Sequence, residues 1–457
     1  MTRRSLTIAA ALIGLVALTA PMNAQTQVDS FLLRNVTVHP ITAAKQDDVS
    51  LLVVDGKIAA IAKNVSAPRG TRTIEGRGLH VFPGMIDSAT DTGLSEISAV
   101  DVTVDTGELG EFNPQIRAAV AVNPSSEHFP VVRANGTTSM LLLPGGASAR
   151  GGFGGGNQKP RIIQGQASMI HTDGWTWEEM EVSRGAGLQL RWPRVATVPA
   201  RFAAMAGQGN QTSYADLKKR QQDEVKQLSD FFESARRYQK AKAANDATLQ
   251  ADLKLEAMLP VLEGKRPVVI IADSERYIKE AVDFAKKEKI RMVLAGASEY
   301  GDSLALLKAN GIPVIVGPTY QLPPEADMPY DYSATLPGEI FKAGVKFCFG
   351  SYGTQFARNL PYNVANAVAY GLPYDEAIKG LTIYPAEIWG MADRIGSVEK
   401  GKWADLIVVD KEDPLETTTN VKFMFILGRE VDLESKHTKL YEKYLNRPKR
   451  SVAAGSQ

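Results

Sequence analysis

Between Phe31 and about His80 the chain alternates short apolar runs with turns. The clearest is Ser50-Leu51-Leu52-Val53-Val54-Asp55-Gly56-Lys57-Ile58, whose Asp-Gly pair between β-rich flanks predicts a hairpin. The same texture returns near the other end, in Leu406-Ile407-Val408-Val409 and in Val421-Lys422-Phe423-Met424-Phe425-Ile426. An exposed apolar strand edge at either end would invite aggregation, so the two sets are expected to pair into one small composite β-sandwich of residues 25–80 and 396–432.

Between these ends, apolar runs alternate with helical patterns: 81–87, 137–143, 167–171, a weak run at 188–192, then 267–272, 292–295, 313–316 and 345–350. Most are continuous rather than alternating, which suits strands covered on both faces, and several are followed by Gly, Ser, Thr or Asp. Eight such units predict an α/β fold, a (βα)8 TIM-type barrel over residues 81–395. Two stretches break the pattern. Residues 213–262 are charged and helix-forming, with Leu217, Val225, Leu228, Phe231 and Phe232 as a partial apolar stripe, and predict two inserted helices. Residues 145–157 are rich in glycine but lack the Lys-Ser/Thr ending of a phosphate loop, which predicts a loop at the barrel mouth. Residues 433–457 form a C-terminal tail.

Composition narrows the partners. The 457 residues carry 52 basic and 51 acidic side chains, a net charge of +1, so nothing overall favours nucleic acid or an anionic membrane. Arg3 and Arg4 precede an apolar run, 6–20, and a small residue, Ala24, that suits a cleavage site; residues 1–24 are read as a signal peptide. A helix of that run would span about 22 Å, short of a hydrocarbon core of about 30 Å. The expectation is an exported protein, periplasmic or secreted, without a stable membrane anchor. Cys348 is the single cysteine and lies in an apolar run, so a buried structural thiol is expected and disulfides are excluded.

The string His80-Val81-Phe82-Pro83-Gly84-Met85-Ile86-Asp87 resembles the end of the first barrel strand in the amidohydrolase superfamily, in its imidazolonepropionase-like and prolidase-like branch. Val398-Glu399-Lys400-Gly401-Lys402-Trp403-Ala404-Asp405-Leu406 resembles the return of such proteins into their flanking β domain. The resemblance implies a hydrolase of C–N bonds other than ordinary peptide bonds. It also implies zinc, held by a His-x-His pair ending the first strand, His residues after the fifth and sixth strands, and an Asp after the eighth. Residues two apart on a strand share a face, so both imidazoles of the pair would enter the mouth. Here those positions read Ala89 and Asp91, Ile271, Ala295 (or Ala297) and Tyr352, so most of the family's ligands are missing and no cofactor is assigned.

The polar chemistry that remains is sparse. Of five histidines only His171 ends a predicted barrel strand. It is either a general acid or base, oriented by Asp173 or Glu299, or a hydrogen-bonded support for the Trp175-Thr176-Trp177 loop; the second reading carries more weight because no nucleophile stands beside it. Asp91 and Asp273 complete the candidate catalytic set, and Tyr320, Tyr352, Trp175 and Glu299 form a candidate binding surface. Residual carboxylates could hold Mg²⁺ or Ca²⁺, or simply line a water-filled mouth. Three functions stay open: a hydrolase using residual groups, a non-catalytic binder of a small polar molecule at the mouth, and a structural partner of a catalytically complete paralogue or of a second copy.

Overall fold

The structure is a computed structural model that describes residues 30–146, 161–195, 213–325 and 327–448. The signal peptide and all but the first two residues of the glycine-rich stretch lie outside the described residues. Two sheets organise the chain.

The first joins the two ends. Its strands are β1 (Phe31–Val38), β2 (Gln46–Val54), β3 (Lys57–Ala62), β4 (Arg72–Glu75), β5 (His80–Pro83), β14 (Leu406–Val409), β15 (Val421–Ile426) and β16 (Arg429–Glu430). The order is β16-β15-β14-β5-β1-β2-β3, with β4 beside β1, so the seam between the chain's two ends is the antiparallel pair β5–β14. Alternation decides what each strand buries: Leu406 and Val408 join Phe31, Leu33 and Leu51 in the sheet's own core, while Ile407 and Val409 face the barrel's outer core. One strand thus clamps the satellite sheet to the barrel.

The second sheet coils into a nearly closed barrel of β6 (Met85–Thr90), β7 (Thr137–Leu142), β8 (Ile163–His171), β9 (Glu181–Arg191), β10 (Val268–Ile271), β11 (Met292–Ala295), β12 (Val314–Val316) and β13 (Phe347–Phe349). No ladder joins β13 to β6. Instead Tyr352 N donates to Ala89 O at 2.8 Å, and Gly350 makes the approach possible, because a β-carbon there would stand 2.7 Å from Ala89 Cβ. Alternate residues again divide: Val269 and Ile271 fill the interior, Val268 and Ile270 face the helices outside. Cys348 is buried in that interior, where burial pushes its thiol up to about 12.

The (βα)8 expectation needs correction at one strand. β8 pairs antiparallel with both β7 and β9. The physical reason is the length of the β8–β9 connection: residues 172–180 are too few for a parallel crossover, which takes about a dozen or more, so the chain turns back as a hairpin. Two reversals restore the direction, and β9 through β13 run parallel. Helices Glu275–Glu288, Ser303–Ala309, Tyr332–Lys342 and Leu360–Ala369 follow β10 to β13 in turn.

Residues 213–262 contain two helices, Tyr214–Ala243 and Leu253–Leu262, each capped by a side chain, Ser213 and Asp252. The longer one buries Leu228 and Phe232 in the outer core, with Val225 and Phe231 packed at its edge. Arg236 anchors it to Glu288 at 2.5 Å.

Candidate functional site

The rim at the C-terminal ends of the parallel strands is where such barrels place their chemistry. Three of the positions assigned to metal ligands are apolar here and sit deep: Ala89, Ile271 and Ala295 belong to the buried interior cluster. Tyr352 takes a left-handed backbone conformation, φ +59°, uncommon for a side chain of this size. Its hydroxyl donates to Ile315 O at 2.7 Å and accepts from Gly296 N at 2.9 Å, so it is spent on the ends of β11 and β12. Among the described residues, no three His, Cys, Asp or Glu side chains gather around one point.

Asp273 and Tyr352 do come together. With Ser298 and Gln321 they line a cleft of about 150 Å³ whose other wall is apolar, Val316, Leu322 and Leu336. Asp273 Oδ2 is held by Arg194 Nη1 at 2.7 Å, and its main-chain oxygen accepts from the N–H groups of Ser298 and Glu299. Arg191, at the end of β9, feels both: burial lowers its guanidinium to about 10, Arg194 adds to that, and Asp273 opposes it. This patch of two guanidiniums and one carboxylate was missed in the sequence, where the run before it was weak. The Arg191-x-x-Arg194 spacing next to a strand end was the available signal.

Asp91 stands apart on the next groove round the rim, with Glu96 and His128. Its Oδ1 accepts from Thr354 N and Thr354 Oγ1, both at 2.7 Å. Glu299 is half-buried, and its backbone N–H rather than its carboxylate makes the contact with Asp273. Tyr320 is exposed beyond the cleft, its N–H bound to Asn363 Oδ1.

The placement of His171 and Trp175 at the mouth is corrected by the reversed strand. Because β8 runs antiparallel, His171 ends it at the far end of the barrel, opposite Ser139 near the start of β7. Its Nε2 lies 2.9 Å from Asp405 Oδ2, both side chains buried, and Trp175 is exposed on the loop beyond. Asp173, read as an orienting group, is bound by Arg133 and Arg429 instead.

Tyr352→Phe is expected to destabilise the protein by about 1–2 kcal/mol, since it leaves Gly296 N–H and Ile315 C=O without this partner at a cleft that water can enter. Chemical denaturation of both proteins measures it; an unchanged midpoint would mean the hydroxyl is not what ties β11 to β12.

Comparison with known proteins follows the same lines. A model of the amidohydrolase family matches residues 335–431. An amidohydrolase of Hapsidospora irregularis is 23% identical over 387 residues, covering 80% of this chain but only 38% of the relative's own length. An imidazolonepropionase of Porphyromonas gingivalis is 40% identical over 75 residues, 16% of this chain and 18% of that protein. The crystal structure of an amidohydrolase from Thermotoga maritima superposes with a TM-score of 0.73 at 26% identity, over 88% of this chain and 99% of that one. A Xaa-Pro dipeptidase with methionine in its active site shares the fold alone, with a TM-score of 0.51 at 17% identity, covering 88% of this chain and all of its own. With both sequence anchors inside one barrel-and-sheet architecture, the chain belongs to the amidohydrolase superfamily.

Proposed function

We propose that this chain is a binding protein built on an amidohydrolase barrel, taking a small polar ligand at the cleft of Asp273, Ser298 and Tyr352 and not running the superfamily's metal-assisted hydrolysis. A catalytic zinc takes three protein ligands and keeps one position open for water. The residues present do not fit it. Ala89, Ile271 and Ala295 have no donor atom and are packed against apolar neighbours, and the Tyr352 hydroxyl is spent on two backbone groups. That is the observation carrying the proposal. Of the two carboxylates in the candidate catalytic set, Asp91 is engaged by Thr354 and Asp273 by Arg194.

A cleft with an apolar wall and a few polar groups suits a ligand with an apolar body and one or two hydrogen-bonding groups. The test is thermal unfolding in the presence of a panel of amides, lactams and dipeptides, with product assayed in parallel and metal content measured by elemental analysis. The expected result is a raised melting temperature without product, and far less than one equivalent of transition metal; ligand at about 100 times Kd adds about 2.7 kcal/mol of stability. A stoichiometric transition metal, or turnover of any panel member, defeats the proposal.

The competing reading, hydrolysis of a C–N bond, draws its support from 26% identity to an amidohydrolase over nearly the whole fold. Turnover that vanishes in Asp91→Ala or Asp273→Ala would establish it. A third, a structural partner of a complete paralogue, draws on a relative far longer than the segment it shares with this chain. Co-purification with such a paralogue is its test.

A further inference from the structure

The last described helix, Lys436–Leu445, is ten residues long and buries none of them. Isolated helices shorter than about 12–15 residues are marginal in water, so a helix with no core of its own is completed by whatever surface covers it. Its start is well made: Ser435 Oγ accepts from Thr438 N at 3.3 Å, and Thr438 Oγ1 accepts from Ser435 N at 2.9 Å. Its apolar side chains fall on one face. At roughly 100° per residue, Leu440, Tyr441, Tyr444 and Leu445 share an arc of about 140°, and they are 39%, 67%, 59% and 66% exposed.

The polar side is divided by charge. Lys436, Lys439 and Lys443 fall within about 60° of one another, along the edge next to Leu440, Thr438 and Glu442 lie beyond Leu445, and His437 falls within the apolar arc, between Tyr444 and Tyr441. From Lys436 to Arg447 there are four basic residues and one acidic one, in a chain whose net charge is only +1. Lys439 has Glu434 at 3.4 Å, but neither Lys436 nor Lys443 has a carboxylate partner among the described residues. The face is therefore apolar apart from His437, with one cationic margin of which only Lys439 has a carboxylate partner among the described residues.

We propose that this helix is a peripheral docking element for an anionic lipid surface, lying in the plane of the headgroups with Leu440, Tyr441, Tyr444 and Leu445 turned into the acyl boundary. The composition matches that occupant physically. Tyrosines offer an apolar body and a polar tip, and lysines bury their stems while keeping the ammonium at headgroup level, so all sit at one depth on a flat interface. A second copy packed through the same face would bring two cationic margins to one interface, which charge opposes. Three lysines near an anionic surface are also enough to matter, whereas neutral lipid offers them nothing. The proposal does not rest on the ligand cleft, which none of these residues lines.

The purified protein is to be co-sedimented with vesicles of phosphatidylcholine alone and of phosphatidylcholine containing phosphatidylglycerol, at low and at high salt. Binding is expected only to the phosphatidylglycerol vesicles and is weakened by salt. The triple variant Lys436→Gln, Lys439→Gln, Lys443→Gln is expected to bind on the order of 100-fold more weakly, and Tyr441→Glu with Tyr444→Glu not at all. Both variants keep the parent's unfolding midpoint, since the altered side chains are not buried. Equal binding to both vesicle types, or to neither, overturns the proposal. So does a concentration-dependent dimer that the Tyr441→Glu, Tyr444→Glu variant abolishes, which would assign the face to a second copy.

Discussion

His171→Ala is expected to lower the free energy of unfolding by about 3 kcal/mol while leaving ligand binding at the mouth cleft as it is in the parent protein. His171 ends β8 at the far end of the barrel, and Asp405 immediately precedes β14 of the other sheet, so their 2.9 Å contact bridges the two sheets. Both side chains are buried, and Asp405 Oδ1 takes a second hydrogen bond from Leu427 N at 2.8 Å. Alanine would strip one oxygen of a buried carboxylate of its partner and leave a void of imidazole size beside Trp403. Removing one member of a buried pair typically costs about 3–5 kcal/mol, and the surviving Leu427 bond argues for the lower end. Urea unfolding of the parent, His171→Ala, Asp405→Ala and the double variant closes the cycle. If the double variant loses as much as the two singles added together, the pair is not coupled and the bridging account fails.

Most of the barrel strands were legible because they are continuous apolar runs, the mark of a strand covered on both sides; Val268–Ile271 and Met292–Ala295 are buried along their whole length. The run 81–87, expected as one barrel strand, is split at Gly84: its first part is β5 of the other sheet, and the barrel strand β6 begins at Met85. So was the pairing of the two chain ends, since neither set of strands could stand alone. β9 was only half seen. Its first part, Glu181 to Gly187, mixes charge with Gly185 and Gly187, and Gly187 lies close against Val269, where a larger side chain would collide.

Strand direction was the real loss, and it misplaced His171. Periodicity reports which residues are buried, not which way a strand runs; direction is set by the length of the connections. The segment 172–180 did carry that signal, being too short for a crossover once β9 is allowed to begin at Glu181. The candidate site was legible where it depends on strand ends, as with Asp273 and Tyr352, which follow β10 and β13 directly. Arg194 and Asp405 were not, because each acquires its role only by meeting a residue 79 or 234 positions away.

Asp87 supplies the second large effect, and it is one of pH. Its Oδ1 accepts from Ala89 N at 3.2 Å and Ser351 N at 2.9 Å, while Oδ2 is buried without a partner. Burial outweighs those hydrogen bonds, with nearby Asp91 adding to it, and the carboxyl is pushed from 3.8 up to about 6. A raised carboxyl means that the folded state holds the proton more tightly than the unfolded one. Its contribution to stability is therefore greatest below about pH 4, falls as pH rises through about 4 to 6, and is level above that. Two pH units correspond to about 3 kcal/mol. Asp87→Asn keeps the Oδ1 acceptor and cannot ionise, so relative to the parent it should gain about that much between about pH 4 and pH 7. Urea unfolding of both proteins across this range reads the difference directly, and parallel curves would show that the group does not titrate there. The barrel tolerates a costly charge at this point because Asp87 Oδ1 reaches Ser351 N across the one seam, β13 to β6, that has no strand ladder. A residue with no acceptor, as in Asp87→Leu, should accordingly flatten the same pH profile and yet be less stable than Asp87→Asn at every pH.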